Sequence, residues 1–396
     1  MRAVVIGAGR VGLGFAGELL GRAGAKLTVV GRGQVIDNLG RTGHYRVRLV
    51  DPGWQEERRV RVRRALPASE ADAVAREIAR ARLVAVAVRP ENLGAIAPLI
   101  AAGLEARTRK KPLNVIAFEN AIDAGPNLRA AVAERLPADF RLERHGFSGA
   151  VVSRAVSSIL GDPAAPEPLT ILGDPAERFQ VHGRSLKALP RLPGLVKVKD
   201  FEAAFNAKLY VFSAGHATVA YLGFLKGYRY VHAAVRDHEI RMAALAAMRE
   251  GQEGLAARYG RKLAGGEAEL EAILWRFDNA ALNDPVTRVG RDPGRKLSPE
   301  ERLLGAARLY EEETGKLPTM LPVAAAAAVC FAAVDGDPTG AETARQLSAH
   351  APGLLQELSA AKPDAGLTES VTAAWERFSA GWRHDSPLFT LATRER

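Results

Sequence analysis

The sequence predicts an α/β chain in two parts: a doubly wound, mostly parallel sheet domain over residues 1–198, then a mainly α-helical domain over residues 199–396. Three observations predict it. Short apolar runs alternate with helical stretches as far as Arg135. The first run feeds straight into the glycine-rich stretch Gly7-Ala-Gly-Arg-Val-Gly-Leu-Gly14. After Phe201 the texture changes to long helical stretches. Alternation of this kind implies a parallel sheet with ligands at its strand ends, and 396 residues suit two cores better than one.

Taken in order, Ala3 to Ile6 is a buried-type strand and Phe15 to Leu20 a helix that closes near Gly24. Leu27 to Val30 is the second strand. Helix is expected over Ala68 to Arg82, strand over Leu83 to Val88, helix over Leu93 to Leu104, strand over Asn114 to Phe118 and helix over Pro126 to Arg135. From about residue 165 to 198 the chain is rich in Pro and Gly and reads as irregular. The helices of the second part are expected over Phe201 to Gly223, Tyr230 to Tyr259, Glu267 to Phe277 and Pro299 to Glu313.

Lysine and arginine number 55 against 45 acidic residues, a formal charge of +10. The surplus is spread along ordinary helices and is not interleaved with aromatics, so nucleic acid is not the expected partner. A small anionic substrate and cofactor fit better. The single cysteine, Cys330, lies in the apolar run Val323 to Val334 and reads as a core residue. One cysteine excludes an intrachain disulfide and fits a cytoplasmic setting. That run is shorter than the roughly 20 residues needed to cross a bilayer, so no membrane partner is expected. A strand begins almost at the first residue, which leaves no room for a signal peptide. His232, His238 and Glu239 lack a third ligand at metal spacing, so no metal is expected.

Gly7, Gly9 and Gly12 form G-x-G-x-x-G between a strand and a helix, the Rossmann-type dinucleotide signature. The first glycine permits the turn, the second lets a diphosphate approach the backbone, and the third lets helix and strand pack closely. Arg10 stands inside the turn. At the end of the second strand an acid would bind the ribose hydroxyls of NAD. Here stand Gly31 and Arg32, which leave room for a 2′-phosphate and supply a guanidinium for it. NADP is therefore expected over NAD.

In the second part, Lys208-Leu-Tyr-Val-Phe-Ser-Ala-Gly-His216 places a lysine and a histidine near one helix face, with Ser213 between them. Oxidising an alcohol needs a base for the hydroxyl proton, and a lysine whose basicity is lowered by burial can serve. By spacing alone a lysine and a histidine on one helix face are most often a solvated or capped pair. Arg288, Arg291, Arg295 and Lys296 form a compact basic loop, either a solvated charge run or a phosphate site of guanidinium forks.

Along most of its length the chain resembles the polyol-specific long-chain dehydrogenases. The resemblance is carried by Gly7 to Phe15, Phe118-Glu-Asn120, Lys208 to Gly223, Arg276-Phe-Asp-Asn279, Asp284, Arg288-Val-Gly-Arg291 and Arg295-Lys-Leu297 to Arg302. It implies metal-independent hydride transfer between a nicotinamide cofactor and a sugar-alcohol phosphate, with fructose 6-phosphate and mannitol 1-phosphate as the expected pair. It also implies Lys208 as general base, His216 on a substrate hydroxyl, Asn120 and position 213 polarising the reacting oxygen, and Arg288 and Lys296 lining the substrate site. Arg291 is the expected extra phosphate contact, and a monomer is expected. Three positions depart from the family pattern: Ser213 stands for asparagine, Gly31 for an acid, and Ser153 for the aspartate before Arg154. These keep open a dehydrogenase of another polyol or sugar acid, and a non-catalytic dinucleotide-binding relative.

Overall fold

The computed structural model describes residues 1–333 and 365–379. It divides into two compact units, Met1–Ala204 and Phe205–Arg396.

The first unit is built on β1 (Arg2–Ile6), α1 (Glu18–Arg22, entered through a π-helical turn Gly12–Gly17), β2 (Lys26–Gly31), α2 (Gln34–Thr42), β3 (His44–Asp51), β4 (Trp54–Arg61) and β5 (Arg64–Pro67). There follow α3 (Ala71–Arg80), β6 (Leu83–Val86), α4 (Leu93–Glu105), β7 (Asn114–Ala117), α5 (Ala124–Ala133) and β8 (Gly146–Val152). β9 (Val156–Leu160), β10 (Thr170–Gly173), β11 (Phe179–His182) and β12 (Leu195–Val198) complete it.

Eight strands form the main sheet in the order β12-β11-β8-β7-β6-β1-β2-β5. β5 to β8 and β1 and β2 pair in parallel, and only β11 against β8 is antiparallel. Residues of β1 point alternately to two separate cores. Ala3 and Val5 pack with Phe15, Leu19 and Tyr45, while Val4 and Ile6 pack with Ile78, Ile100 and Leu128. Burial on both faces explains why these strands read as continuous apolar runs. The chain order reverses at β1, so a crevice opens outside the carboxyl ends of β1 and β6, where doubly wound sheets bind ligands.

A second sheet of four strands, β4-β3-β10-β9, was not foreseen. Neither was β11 nor β12: the stretch from 165 to 198 read as irregular holds three strands of four residues each, too short for periodicity to register. This second sheet lies on the glycine-turn helix. A Cβ at Gly14 would meet side-chain atoms of Ile171 and Val156 at 2.6 and 2.8 Å, and one at Gly17 would meet the Tyr45 hydroxyl at 2.3 Å. The Tyr45 hydroxyl donates to the Leu13 carbonyl (2.8 Å), and Arg154 donates to the Gly14 carbonyl (2.9 Å). Arg154 is itself buried and pairs with buried Glu18 at 3.0 Å. The side chains thus add donors to carbonyls of the π-helical turn, that of Leu13 also accepting the N–H of Glu18.

The second unit is helical among the described residues. One continuous helix runs as α6 (Phe201–Ala207), a π-helical turn (Lys208–Ser213) and α7 (Ala214–Leu225). α8 (Val231–Ala234) and α9 (His238–Tyr259) follow as two pieces rather than one. Asp237 breaks them: it adopts an extended backbone and its carboxylate accepts the N–H groups of Glu239 and Ile240 at 3.0 and 3.2 Å, an N-cap. Then come α10 (Arg261–Ala264), α11 (Glu267–Phe277), α12 (Val286–Gly290), α13 (Pro293–Lys296), α14 (Leu304–Thr314) and α15 (Met320–Ala333), with a last helix over Ala365–Ser379. α9 packs on α7 and α14. The helix expected from Pro299 begins only at Leu304, because residues 298–303 turn around the side chain of Glu301, held by Arg295 and Arg302. Cys330 is half-buried on α15, and burial lifts its thiol to about 11, while Val334, the end of its apolar run, lies outside the described residues. No described helix is long and apolar enough to cross a membrane.

Candidate active site

The sequence-expected residues fall into two groups, one in each unit, and each is described within its own. In the first unit the glycines stand at the carboxyl ends of β1 and β2. Gly7 has φ +109°, and a Cβ there would lie 2.0 Å from the Ala87 carbonyl oxygen. A Cβ at Gly12 would strike the Gly7 carbonyl oxygen at 1.8 Å. At Gly9 nothing lies within 4 Å, so the backbone there is open to an approaching group. Two glycines close the turn and the third leaves it accessible, the arrangement a dinucleotide diphosphate requires. Arg10 donates to the Ser157 carbonyl in β9 at 3.1 Å, so it ties the turn to the second sheet. At Gly31 a Cβ would lie 2.9 Å from that of Ala8 and 3.0 Å from Ile36, so a side chain there would be crowded. Arg32 beside it is exposed.

Asn120 follows β7 on the same edge of the sheet, directly after Glu119. Glu119 was not singled out for a role by sequence. Burial pushes its carboxyl up to about 7, against the backbone N–H groups of Val88 and Arg89 that it accepts at 2.6 and 3.0 Å.

In the second unit Lys208 opens the π-helical turn that Ser213 closes. In an α-helix five residues separate two side chains by about 140°. A turn closed by i→i+5 bonds instead stacks position 213 over position 208, and such turns cluster at functional sites. Ser213 is buried. Lys208 is half-buried, and its ammonium is held down to about 7, first by burial and then by the positive charges of Arg302 and Arg295, with Glu301 opposing. The lysine is therefore poised to be neutral or charged near neutrality, the condition for proton exchange with a hydroxyl.

His216, one further turn along, stacks on Phe277 (centroids 4.7 Å apart, planes 13° apart) and meets the edge of Phe212. Its Nε2 lies 3.5 Å from Asp284 Oδ2. Burial lowers the basicity of His216, and the Asp284 bond partly restores it. Asp284 is buried, yet its bonds to His216 and Arg288 hold it down to about 2, so the carboxylate stays ionised and orients the ring. Sequence reasoning missed this role, although Asp284 stands four residues before Arg288, the spacing of a helical ion pair.

The basic segment is not a solvated loop. It is two short helices, α12 and α13, joined at Arg291 and Asp292. Arg288 grips Asp284 with both Nε and Nη2. Lys296 is buried, with its ammonium donating to the carbonyls of Val289 (2.6 Å) and Arg291, and burial holds it well below the usual lysine range. Arg295 pairs with Glu301 at 2.6 Å, and Glu301 also takes Arg302 at 3.0 Å. Arg291 is half-buried and has no ion pair among the described residues. No group of three or more metal-ligating side chains occurs among the described residues.

Two family profiles match the chain. One, described as the mannitol dehydrogenase Rossmann domain, spans residues 1–190, and the other, the mannitol dehydrogenase C-terminal domain, spans residues 197–370. A mannitol-1-phosphate 5-dehydrogenase of Geobacillus thermodenitrificans (strain NG80-2) is 36% identical over 84% of this chain and 87% of its own length. One of Brevibacillus brevis (strain 47) is 36% identical over 87% of this chain and 89% of its own. Among solved structures, the Pseudomonas fluorescens mannitol 2-dehydrogenase ternary complex with NAD and D-mannitol superposes with a TM-score of 0.78, covering 99% of this chain and 93% of that one. Its sequence identity is 18%, so this is a likeness of fold.

Proposed function

The chain belongs to the mannitol dehydrogenase family, and we propose that it is an oxidoreductase interconverting mannitol 1-phosphate and fructose 6-phosphate. The observation that carries this reading is Lys208, a lysine held near neutrality at the start of a π-helical turn, in a chain whose relatives bear that activity in their names. Residues 1–198 bind the dinucleotide and residues 199–396 supply the base and the substrate contacts. A single cysteine fits an enzyme of the cytoplasm.

A nicotinamide dinucleotide, when bound, supplies the hydride acceptor. Gly7, Gly9, Gly12 and Arg10 form the turn that receives its diphosphate. We prefer NADP to NAD because Gly31 offers no carboxylate to read a free ribose and a side chain there would be crowded, while Arg32 stands exposed beside it. Neutral Lys208 takes the hydroxyl proton of the alcohol. His216, aligned by Asp284, holds a neighbouring hydroxyl. Ser213 donates to the oxygen as it becomes a carbonyl, the role that the resemblance also gives Asn120. Arg291 takes the phosphate, with Arg288 and Lys296 shaping the wall behind it.

Ser213 favours a second reading. Serine is shorter than the family's asparagine, so a different polyol or a sugar acid is the alternative substrate. Initial rates of NADPH and NADH oxidation with fructose 6-phosphate, against fructose as control, test both. Turnover of the phosphate with NADPH in front supports the proposal, and Lys208→Ala should abolish that turnover while dinucleotide binding survives. Turnover of unphosphorylated sugar alone, or full activity in the Lys208→Ala variant, would overturn it.

A further inference from the structure

Beyond these residues, we infer that Glu119 is a positioning residue: its carboxylate holds the backbone of Val88 and Arg89 as the wall of the crevice beside the glycine turn. The crevice's dinucleotide role is the one proposed above.

Four observations converge. One oxygen of Glu119, Oε1, accepts both the Val88 N–H (2.6 Å) and the Arg89 N–H (3.0 Å). Arg89 has φ +75° and ψ 148°, a conformation natural to glycine and strained for arginine. Pro90 follows, so residue 89 is barred from relaxing into a helical turn. On the other side, Asn92 Nδ2 donates to the Val88 carbonyl at 2.8 Å. Strained backbone persists only where its surroundings over-determine it, and here the surroundings are Glu119 and Asn92.

The location gives the strain a purpose. Ala87, next in the chain to Val88, presents the carbonyl oxygen that forces position 7 to be glycine, and Val88 Cγ1 would lie 3.2 Å from a Cβ there. Asn120 is the residue after Glu119. One carboxylate thus links the turns that follow β6 and β7, and the first of these packs against the turn that follows β1. A loop free to choose its own φ would move the wall of the crevice relative to the glycine turn.

The test is a cycle of Glu119→Ala, Glu119→Gln, Arg89→Gly and the Glu119→Ala/Arg89→Gly pair. Two quantities are read: amide hydrogen exchange over residues 86–93 without ligand, and the Kd of NADPH and of NADH by fluorescence titration without sugar. Glu119→Ala should unprotect the Val88 and Arg89 amides and weaken dinucleotide binding by about tenfold, the effect of leaving such donors unpaired. Glu119→Gln, whose amide oxygen can accept the same two bonds, should restore both. Glycine adopts φ +75° without penalty, so in the Arg89→Gly background the loss on removing Glu119 should shrink to about threefold or less. Should Glu119→Ala not fold, the pair, relieved of the strain, should fold and bind. Unchanged exchange and Kd in Glu119→Ala, or an equal loss with and without the Arg89→Gly substitution, or failure of the pair to fold, would overturn the inference. Exchange needs no ligand. A wild-type chain that binds neither coenzyme would therefore sink the functional reading, while the exchange result still decides whether Glu119 holds the loop.

Discussion

At the scale of single residues, the proposed chemistry turns on how far burial lowers the basicity of Lys208. Alcohol oxidation requires the free amine, and carbonyl reduction requires the ammonium as proton donor. With the amine titrating at about 7, kcat/KM for mannitol 1-phosphate oxidation should rise as pH climbs through about 7 and then level. Reduction of fructose 6-phosphate should fall across the same interval. pH–rate profiles in both directions check this, and profiles flat from about pH 6 to about 9 would remove Lys208 from the proton transfer. The phosphate contact belongs to this scale too. Arg288 is committed to Asp284 and Lys296 to backbone carbonyls, so the proposed phosphate contact is Arg291, which has no ion pair among the described residues. Arg291→Ala should raise the KM for fructose 6-phosphate by about tenfold or more and leave that for fructose nearly unchanged, since a charge-assisted pair contributes about 1.5–3 kcal/mol. Equal changes for both sugars would sink the phosphate assignment. Of these residues, the lysine, the histidine and the basic run were legible from spacing and resemblance. The Asp284 clamp and the Glu301 bridge were not, because both carboxylates stand in the connections around short helices, where sequence does not disclose side-chain direction.

At the scale of elements, each sequence-expected site includes part of a π-helical turn, Gly12 at the start of Gly12–Gly17 and Lys208 and Ser213 at the ends of Lys208–Ser213. The periodicity of 3.6 that identifies a helix carries no mark of a local widening, so helix was expected at both places and the turn at neither. The second sheet escaped for another reason. Its strands pair across more than a hundred residues of sequence, β3 with β10, and no local signal announces a partner so distant. Within the helical unit, Glu250 on α9 caps the start of α15. Its Oε1 accepts the N–H groups of Thr319 and Met320 and the Thr319 hydroxyl, and its Oε2 accepts the N–H of Leu321, all between 2.7 and 2.9 Å. A buried carboxylate facing the positive end of a helix both satisfies donors and meets the helix dipole. Glu250→Ala should therefore cost about 2–4 kcal/mol of unfolding free energy in denaturant titration. A loss below about 0.5 kcal/mol would mean that water replaces the carboxylate without penalty.

At the scale of the whole molecule, the alternating half and the helical half were legible because each rests on a repeating pattern: buried strands between amphipathic helices, then helix after helix. The glycine turn was legible because steric contact with Ala87 and Gly7 admits no other residue at positions 7 and 12. The same contacts constrain how such a chain can evolve. Position 31 faces Ala8, so any side chain placed there pushes its first carbon against that of a residue in the glycine turn, 2.9 Å away. A side chain at position 31 therefore requires Ala8 in the glycine turn, or Ile36 on α2, to give way. The residue that would read the ribose and the turn that would receive the diphosphate are thus not independent positions, and a change at one is felt at the other.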